Sequence, residues 1–473
     1  MDSGAWPLDS AVCGVAISLP VRDVIAHSRA VIIGAGVVGC AIFRRLSLAG
    51  LEPLLLEAGS DILSGASKAN SALLHTGFDA PEGSIELACM QDGYREYLEI
   101  KDRLNLPLVE SGALVVAWDE EQLAKLPSIV DKAHRNGVAD VVQIGRNDLR
   151  KREPFLSARA LGAVLVPGEH IIDPWSAPLA YAYQGLAHGG KILRRCRVTG
   201  GSFENRRWRL RTTLGEIDAG VVINAAGNQG DIVEAINRES PFTITPRKGQ
   251  FVVFDKPAAK LIHAIILPVP TERTKGVVVC RTAFGNLLVG PTAEDQQDRD
   301  NAEIDQAMLT QLIDKGIEMV PGLSRHSVNA AYAGLRPATQ FKDYQISAQA
   351  QRRWITAGGI RSTGLTGALG IAKLVAKHFA EVFGGMKEQE PIWTPVPNIA
   401  EDRPRHYLTP AAGDIVCHCE WVTRTEVEAA LTGPLPAGDL GGLKRRTRCM
   451  MGRCQGFYCG AHVATLAEGK FAP

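Results

Sequence analysis

The alternation of apolar and polar positions predicts strands and helices in turn along most of the chain. An apolar run at 31–33 reads as a buried strand, and an amphipathic helix is predicted from 37 to 49. A second apolar strand follows at 54–56. Strands that are apolar on both faces and joined by helices are typical of parallel sheets. The start of the chain therefore predicts an α/β fold.

The same patterns continue through the rest of the chain. Helical periodicity predicts helices over 86–104, 120–136, 146–152, 304–319 and 367–383. Apolar or alternating runs predict strands at 112–118, 207–213, 217–223 and 354–360. Between 242 and 289, short strands separated by glycine and proline turns predict a mostly antiparallel sheet. We expect this sheet to be a second layer, inserted into the α/β fold.

Three glycines at G-x-G-x-x-G spacing lie between the first strand and the first helix. Gly34 permits a tight turn, Gly36 allows close approach of a pyrophosphate, and Gly39 allows the helix to pack on the strand. The helix N-terminus would bind the phosphates. Glu57 ends the second strand, eighteen residues after Gly39, where a carboxylate binds ribose hydroxyls. Together these features predict a dinucleotide site.

Small-residue segments recur after other predicted strands. The segment 64–79 is rich in small residues that would let it lie flat against a cofactor, and it contains His75. A single histidine is more often structural than catalytic. A strand ends in the turn 224–228, and the strand 354–360 leads into glycines and hydroxyls before a helix. Such a helix start stabilises negative charge, for instance on the N1/O2 edge of a flavin.

Composition and charge exclude several classes of function. The chain has 473 residues, 45% hydrophobic and 22% charged, so two or three domains are expected. A net charge of +1 argues against nucleic acid as the main partner. No apolar run approaches the roughly 20 residues that span a bilayer. The first 29 residues include an apolar piece at 11–19 preceded by acidic residues, which predicts a tail or peripheral strand rather than a signal peptide. We expect a cytoplasmic protein, with contact at the inner face of a membrane left open.

Half of the ten cysteines lie in the last 60 residues. The others, Cys13, Cys40, Cys89, Cys196 and Cys280, are scattered singly, as buried small apolar residues are. In a long cytoplasmic chain, clustering favours a metal site over disulfides. The cluster comprises Cys417, Cys419, Cys449, Cys454 and Cys459. Its C-x-C pair and its C-x₄-C pair fit an iron–sulfur centre better than the usual spacing of structural zinc, which is the alternative.

Several motifs in the same order resemble the glycine oxidase/D-amino acid oxidase superfamily of FAD-dependent oxidoreductases. They are the glycine motif with Glu57, SKANSALLHTGFD, VINAAGN, TPRKGQF, GNLLVGPTAED, AGLRP and AGGIRSTGLTGALGIA. Within the superfamily, the glycerol-3-phosphate dehydrogenase and L-2-hydroxyglutarate dehydrogenase branch is most similar. The resemblance covers about 30–383. It implies a Rossmann-like FAD-binding domain (about 30–85, 155–240 and 335–383) and an inserted antiparallel-sheet substrate domain (about 86–154 and 241–334).

The resemblance also implies roles for individual residues. Gly34, Gly36, Gly39 and Glu57 would hold the adenosine and pyrophosphate of FAD. His75 would take the hydroxyl proton of the substrate, and Arg336 would bind its anionic group, since guanidinium binds carboxylate or phosphate bidentately. Arg247 and Lys248 are further candidates for substrate charge or flavin contacts. The residues expected along the flavin are Ser67, Asn70, Ser71, Gly227, Gly359, Ile360, Gly364, Leu365 and Thr366.

The last 60 residues resemble the small helical 2Fe–2S domain of bacterioferritin-associated ferredoxin, which would follow a proline-rich linker at 384–413. The arrangement GGLKRRTRCMMGRCQGFYC carries this resemblance. It implies Cys417, Cys419, Cys454 and Cys459 as ligands in a domain at 414–473. Cys449 lies five residues before Cys454, so spacing alone leaves it open as a ligand.

The function that follows is oxidation of a small anionic secondary alcohol, glycerol 3-phosphate or a 2-hydroxy acid. Hydride would pass to FAD, and electrons would leave through the cluster to a quinone or to a partner protein. One alternative is an amine or amino-acid dehydrogenase on the same fold. A second is an iron–sulfur sensor or docking protein with little catalysis of its own.

Overall fold

The computed structural model describes residues 23–270, 276–410 and 412–471. The strands in these residues are β1 (Val24–Ile33), β2 (Leu54–Leu56), β3 (Leu73–Leu74), β4 (Ala113–Ala117), β5 (Val142–Gly145), β6 (Gly162–Val166), β7 (His170–Ile171), β8 (Lys191–Leu193), β9 (Val198–Glu204), β10 (Arg207–Thr212), β11 (Glu216–Asn224), β12 (Ile244–Phe254), β13 (Ile265–Pro268), β14 (Val278–Arg281), β15 (Leu287–Gly290), β16 (Glu294–Asp295), β17 (Val328–Thr339), β18 (Gln345–Gln349), β19 (Trp354–Gly358), β20 (Ile415–Cys417) and β21 (Val422–Thr423).

The helices alternate with these strands, as the periodicity predicts. They are α1 (Val37–Leu48), α2 (Ile85–Leu104), α3 (Glu120–Arg135), α4 (Arg146–Arg152), α5 (Ser176–Ala187), α6 (Gly230–Glu234), α7 (Gln306–Met319), α8 (Gly364–Phe383), α9 (Arg424–Thr432), α10 (Leu440–Thr447) and α11 (Gly460–Ala467). The helix predicted at 367–383 begins three residues earlier, at the turn after β19, and α11 was not predicted.

The first sheet has the order β18-β19-β11-β1-β2-β8, with β9 and β10 as an antiparallel extension of β11. The pairs β1–β2, β1–β11, β2–β8 and β11–β19 are parallel, as the apolar strands predict. Helices α1, α5 and α8 bury their apolar faces in one core with these strands. We call this part the nucleotide domain. The carboxyl ends of β1, β2 and β11 meet at one edge, which places the predicted turns together.

The chain enters this sheet earlier than predicted. β1 begins at Val24, whereas the sequence placed the strand at 31–33 and treated residues 1–29 as an extension. Residues 24–28 pair with β11, and their alternating exposure shows that they form the sheet's solvated end. A strand end exposed in this way lacks the continuous apolar run from which the rest of β1 was predicted. The apolar piece at 11–19 lies outside the described residues.

The second sheet has the order β16-β12-β15-β14-β13-β4-β6-β5, with β17 paired to β12. It is antiparallel except for β4–β13, so the expected inserted antiparallel sheet is present. We call it, with its covering helices, the inserted domain. Two stretches cross the predicted division between the domains. Helix α2, expected in the substrate domain, packs Cys89, Tyr97 and Leu104 into the core of the nucleotide domain. Strand β6, expected in the FAD-binding part, lies in the second sheet.

The predicted linker, 384–413, packs against the nucleotide domain. Val396 is buried and donates its backbone N–H to Leu104 at 3.1 Å, and Gln389 bonds Leu48 in the same way at 2.8 Å. The chain then forms a small unit of β20, β21 and α9 to α11 around its own apolar core. We call residues 414–471 the cysteine domain. In the part of the chain that the structure describes, no helix has the length and apolarity to cross a membrane.

Candidate active site and cysteine cluster

The turn between β1 and α1 has the geometry that its glycines predict. Gly34 has a φ of +102°, and a Cβ atom there would lie 2.6 Å from the carbonyl oxygen of Ala225. A Cβ on Gly39 would lie 1.8 Å from the carbonyl oxygen of Gly34, so α1 packs on the strand through backbone contact. Gly36 faces Ser67, whose Oγ accepts from the Val37 N–H at 3.0 Å. A larger side chain at Gly34 or Gly39 would displace the turn, because both positions face backbone carbonyls.

Glu57 is fixed by the backbone at the end of β2. Its carboxylate accepts from the Ala35 N–H at 2.9 Å and from the Gly59 N–H at 2.7 Å. Burial raises the pKa of this carboxyl, while the two backbone donors act in the opposite direction. Because Glu57 also lines the cavity described next, it lies where the sequence predicts a ribose-binding carboxylate.

A cavity of about 830 Å³ runs from the β1–α1 turn to the start of α8. Its lining includes most of the predicted cofactor residues, namely Gly34, Gly36, Glu57, Ser67, Asn70, Ser71, Gly227, Gly359, Ile360, Gly364 and Leu365. Gly39 and Thr366 do not line it. Gly39 packs behind the turn, and the buried hydroxyl of Thr366 bonds Leu73 and His75. An elongated cavity with glycine turns at both ends fits an extended dinucleotide such as FAD.

His75 lies beside this cavity and pairs with a carboxylate that was not predicted from the sequence. Its Nδ1 is 2.7 Å from an oxygen of Glu169, and its backbone N–H donates to Thr366 at 3.0 Å. Glu169 is fully buried, and its other oxygen accepts from the backbone and hydroxyl of Thr76. The pairing holds the imidazole ring in one orientation. His75 is not among the residues that line the cavity. Its hydrogen-bond partner Thr366 directly follows Leu365, which does line the cavity.

Arg336, on β17, lines the cavity and is held by backbone carbonyls. It donates to Thr292 at 2.6 Å and to Lys248 at 3.2 Å. Among the described residues it forms no ion pair, because the neighbouring carboxylates of Asp295 and Glu294 pair with Arg247 and Lys248. Burial, and then the nearby charge of Arg247, lower the pKa of Arg336 to about 10. Arg361 also lines the cavity, and burial and Arg247 lower its pKa too.

The other two predicted cations are neutralised by acidic partners. Arg247 pairs with Asp295 at 2.6 Å and Lys248 pairs with Glu294 at 3.2 Å. Neither lines the cavity. Arg361 lies between the predicted cofactor residues Ile360 and Gly364, but its charge was not singled out from the sequence. This end of the cavity is therefore positively charged, mainly through Arg336 and Arg361.

The cysteine domain brings all five of its cysteines together in two groups. The sulfur atoms of Cys417, Cys449 and Cys459 lie within 4.8 Å of one another, and all three residues are buried. Cys419 and Cys454 interact with each other through their thiols. The structure thus adds Cys449, which the predicted ligand set omits, to the group that includes Cys417 and Cys459.

The surroundings of these thiols favour the thiolate form at two positions. The Cys449 thiol, together with backbone N–H groups, lowers the pKa of Cys417 to about 5. The backbone N–H of Tyr458 lowers the pKa of Cys454. The pKa of Cys449 is raised, first because it donates to Cys417. Thiolates within backbone N–H groups suit a metal or an iron–sulfur centre, and the donor set fits either.

The comparison with known families identifies the class of the protein. The model of the DAO family, FAD dependent oxidoreductase, matches residues 29–378. The chain therefore belongs to this family, and FAD is its cofactor.

The relatives define the branch of the family. The chain is 30% identical to a glycerol 3-phosphate dehydrogenase of Caloramator mitchellensis over 92% of each chain. It is 26% identical to one subunit of the anaerobic glycerol-3-phosphate dehydrogenase of Escherichia coli (strain K12), over 93% of this chain and 88% of the relative. The structure of L-alpha-glycerophosphate oxidase from Mycoplasma pneumoniae with FAD bound matches with a TM-score of 0.73 and 26% identity. That match covers 79% of this chain and all of the other. The protein is a glycerol-3-phosphate dehydrogenase-like FAD-dependent oxidoreductase.

A Gly39→Ala substitution should release FAD. The added Cβ would clash with the carbonyl of Gly34, and overpacking of this kind costs about 1–3 kcal/mol. We expect a lower ratio of bound FAD to protein and a lower melting temperature, measured from flavin absorbance and thermal unfolding. Gly145→Ala is the matched control, because a Cβ there meets nothing within 4 Å and the residue has a φ of −81°. Full FAD content in the Gly39 variant would contradict the packing argument.

Proposed function

We propose that this protein is a dehydrogenase that oxidises sn-glycerol 3-phosphate at its secondary hydroxyl to dihydroxyacetone phosphate. The observation that carries the proposal is Arg336, a partly buried cation that lines the FAD cavity and has no ion-pair partner among the described residues. Together with Arg361 it would attract a phosphate dianion, which guanidinium groups bind bidentately. The names of the relatives support the same substrate.

His75 is the base in this proposal. It would accept the proton of the substrate hydroxyl while Glu169, 2.7 Å from Nδ1, keeps that nitrogen protonated and leaves Nε2 as the acceptor. The carboxylate also stabilises the imidazolium that forms. FAD, when bound, supplies the acceptor for the hydride that leaves the same carbon. Arg336 would fix the phosphate so that this carbon stays in place.

The cysteine domain would carry a 2Fe–2S cluster on Cys417, Cys419, Cys454 and Cys459. Similarity to the two dehydrogenases extends well beyond residue 378, where the family match ends, because it spans more than 90% of the chain. The Cys449 thiol and the backbone N–H groups nearby favour the thiolate of Cys417, as a cluster ligand requires. An oxidase that gives both electrons to oxygen needs no such relay. We therefore propose that electrons leave one at a time, to a quinone or a partner protein.

The experiment is an anaerobic titration of the purified protein with sn-glycerol 3-phosphate, followed by visible spectroscopy. The proposal expects flavin bands with an iron–sulfur shoulder, bleached in proportion to the substrate added. If the bands are bleached only by L-2-hydroxyglutarate, or only by an amino acid with release of ammonia, the proposed substrate is wrong. The protein would remain an FAD-dependent oxidoreductase. A protein with flavin but without iron would overturn the relay.

Arg336→Lys should raise the KM for sn-glycerol 3-phosphate about 10- to 100-fold. The planar guanidinium is replaced by a single ammonium, and a lost charge-assisted hydrogen bond costs about 1.5–3 kcal/mol. The FAD content should stay the same, because Arg336 lies at the substrate end of the cavity in this proposal. Steady-state kinetics with an artificial dye as acceptor measure the change. An unaltered KM would exclude Arg336 from substrate binding.

A further inference from the structure

Arg448 is one of the buried cations through which the cysteine domain contacts the rest of the protein. Arg448 directly precedes Cys449, has a left-handed φ of +70° and is only 5% exposed. Its Nη2 donates to Glu420 at 3.1 Å, and Glu420 directly follows Cys419. Arg448 is therefore joined to both cysteine segments of its own domain.

The other side of this guanidinium contacts an aromatic pair. The guanidinium carbon lies 4.0 Å from the centre of the Phe284 ring, well inside the roughly 6 Å limit for cation–π attraction. Phe284 stacks on Trp175, with ring centres 5.3 Å apart and planes at 15°. Both rings are buried. Cation and rings thus form an unbroken series of contacts across the domain boundary.

The series ends at the FAD cavity. The indole N–H of Trp175 donates to the backbone carbonyl of Lys68 at 3.1 Å, and Lys68 lines the cavity between Ser67 and Asn70. Trp175 is itself fixed, since its backbone N–H donates to the buried carboxylate of Asp173 at 2.8 Å. A continuous chain of packed groups therefore runs from the cysteine cluster to the segment expected along the flavin.

A second contact holds the two domains in this position. Arg446 forms a bidentate ion pair with Asp61 of the nucleotide domain, with one of the two bonds at 2.9 Å, and both residues are buried. Breaking a buried pair by removing one partner is strongly destabilising, because it leaves an uncompensated buried charge. The cysteine domain is thus fixed against the nucleotide domain by a buried ion pair.

We propose that Arg448, Phe284 and Trp175 form the path by which electrons pass from reduced FAD to the cysteine-bound cluster. The inference rests on the proposed iron–sulfur relay. Each transfer would move one electron to a ferric ion, which becomes ferrous, and the flavin proton passes to water. Two transfers account for the two electrons of one substrate molecule, and the downstream quinone or protein takes both in turn.

The test replaces the central ring and measures the transfer itself. In Phe284→Leu the ring is lost and the packed series is broken, while the FAD cavity is left intact. A light flash with EDTA under anaerobic conditions reduces the flavin without substrate chemistry, and absorbance and rapid-freeze EPR follow the appearance of the reduced cluster. We expect that rate to fall below that of the unaltered protein, because loss of the ring opens a gap between Trp175 and Arg448. Phe284→Tyr should restore it.

Controls separate the path from the proposed function. FAD content, iron content and the EPR spectrum of the fully reduced protein should match between variants. Trp421→Leu changes an exposed aromatic residue of the cysteine domain outside the series and should leave the rate unchanged. If Phe284→Leu loses a cofactor, Arg448→Lys tests the same contact by removing the planar stack while keeping the charge. Cluster reduction in these variants as fast as in the unaltered protein would overturn the path. Absence of iron from the unaltered protein would instead overturn the relay on which it rests.

Discussion

His75→Gln should slow reduction of the flavin by substrate about 10²- to 10⁴-fold, the usual contribution of a positioned general base. Gln can bond Glu169 through its amide but cannot accept a proton from the substrate hydroxyl. FAD content and the KM should change little, because in this proposal Arg336 binds the phosphate of the substrate and the cavity-lining residues bind FAD. Anaerobic rapid mixing with sn-glycerol 3-phosphate measures the rate of flavin bleaching. A loss smaller than tenfold would remove His75 from the role of base.

Glu169→Gln extends this experiment to the residue that positions the base. The amide would present its N–H to Nδ1 or its oxygen to Thr76, and it no longer stabilises an imidazolium. A merely structural carboxylate would lower the melting temperature, whereas a positioning residue lowers the bleaching rate with the KM unchanged. Glu153→Gln is the matched control. Glu153 is equally buried, accepts from the backbone N–H groups of His263 and Ala264, and does not line the cavity. It should affect stability alone.

Cys417→Ser should abolish the cluster while leaving the flavin reducible by substrate. Cys417 is buried at the end of β20 and is in contact with two other thiols, so serine removes a sulfur from the middle of the group. Iron analysis and EPR of the reduced protein should show loss of the signal, and transfer to a downstream acceptor should fail. Flavin bleaching by sn-glycerol 3-phosphate should continue at its normal rate. An unchanged iron content would exclude Cys417 as a ligand.

Cys449→Ser is the companion variant that decides the ligand set. With Cys417, Cys419, Cys454 and Cys459 as ligands, this variant should keep its iron and its EPR signal. The sulfur atom of Cys449 lies within 4.8 Å of the sulfur atoms of Cys417 and Cys459. If Cys449→Ser loses the cluster and Cys454→Ser keeps it, Cys449 is a ligand in place of Cys454.

The parts of this protein that the sequence predicted are those in which neighbouring residues carry the structural requirement. The turn at Gly34 needs a positive φ, Gly39 needs room for a carbonyl, and Glu57 follows a three-residue apolar strand. The residues that meet these requirements lie close together in the sequence, between Gly34 and Glu57. The same holds for α4, whose bounds agree with the prediction, and for the antiparallel nature of the second sheet.

Errors of the prediction occur where burial is decided by distant segments. Helix α2 reads as amphipathic, but its periodicity does not say which core receives its apolar face, and it packs on α8 of the nucleotide domain. Strand β6 likewise joins the second sheet through pairing with β4 and β5. The start of β1 was missed because a half-exposed strand end has no apolar run.

The sequence by itself determined the dinucleotide motif, the order of strands and helices and the clustering of cysteines. Only the tertiary structure decided the pairing of His75 with Glu169, which are 94 residues apart, and the placement of Cys449 beside Cys417. It also decided the stack of Arg448 on Phe284. Hydrophobic periodicity and glycine spacing are local signals, whereas a buried carboxylate or guanidinium takes its partner from whatever segment packing brings into contact. For that reason the cofactor site can be recognised from sequence, and the groups that orient and connect it cannot.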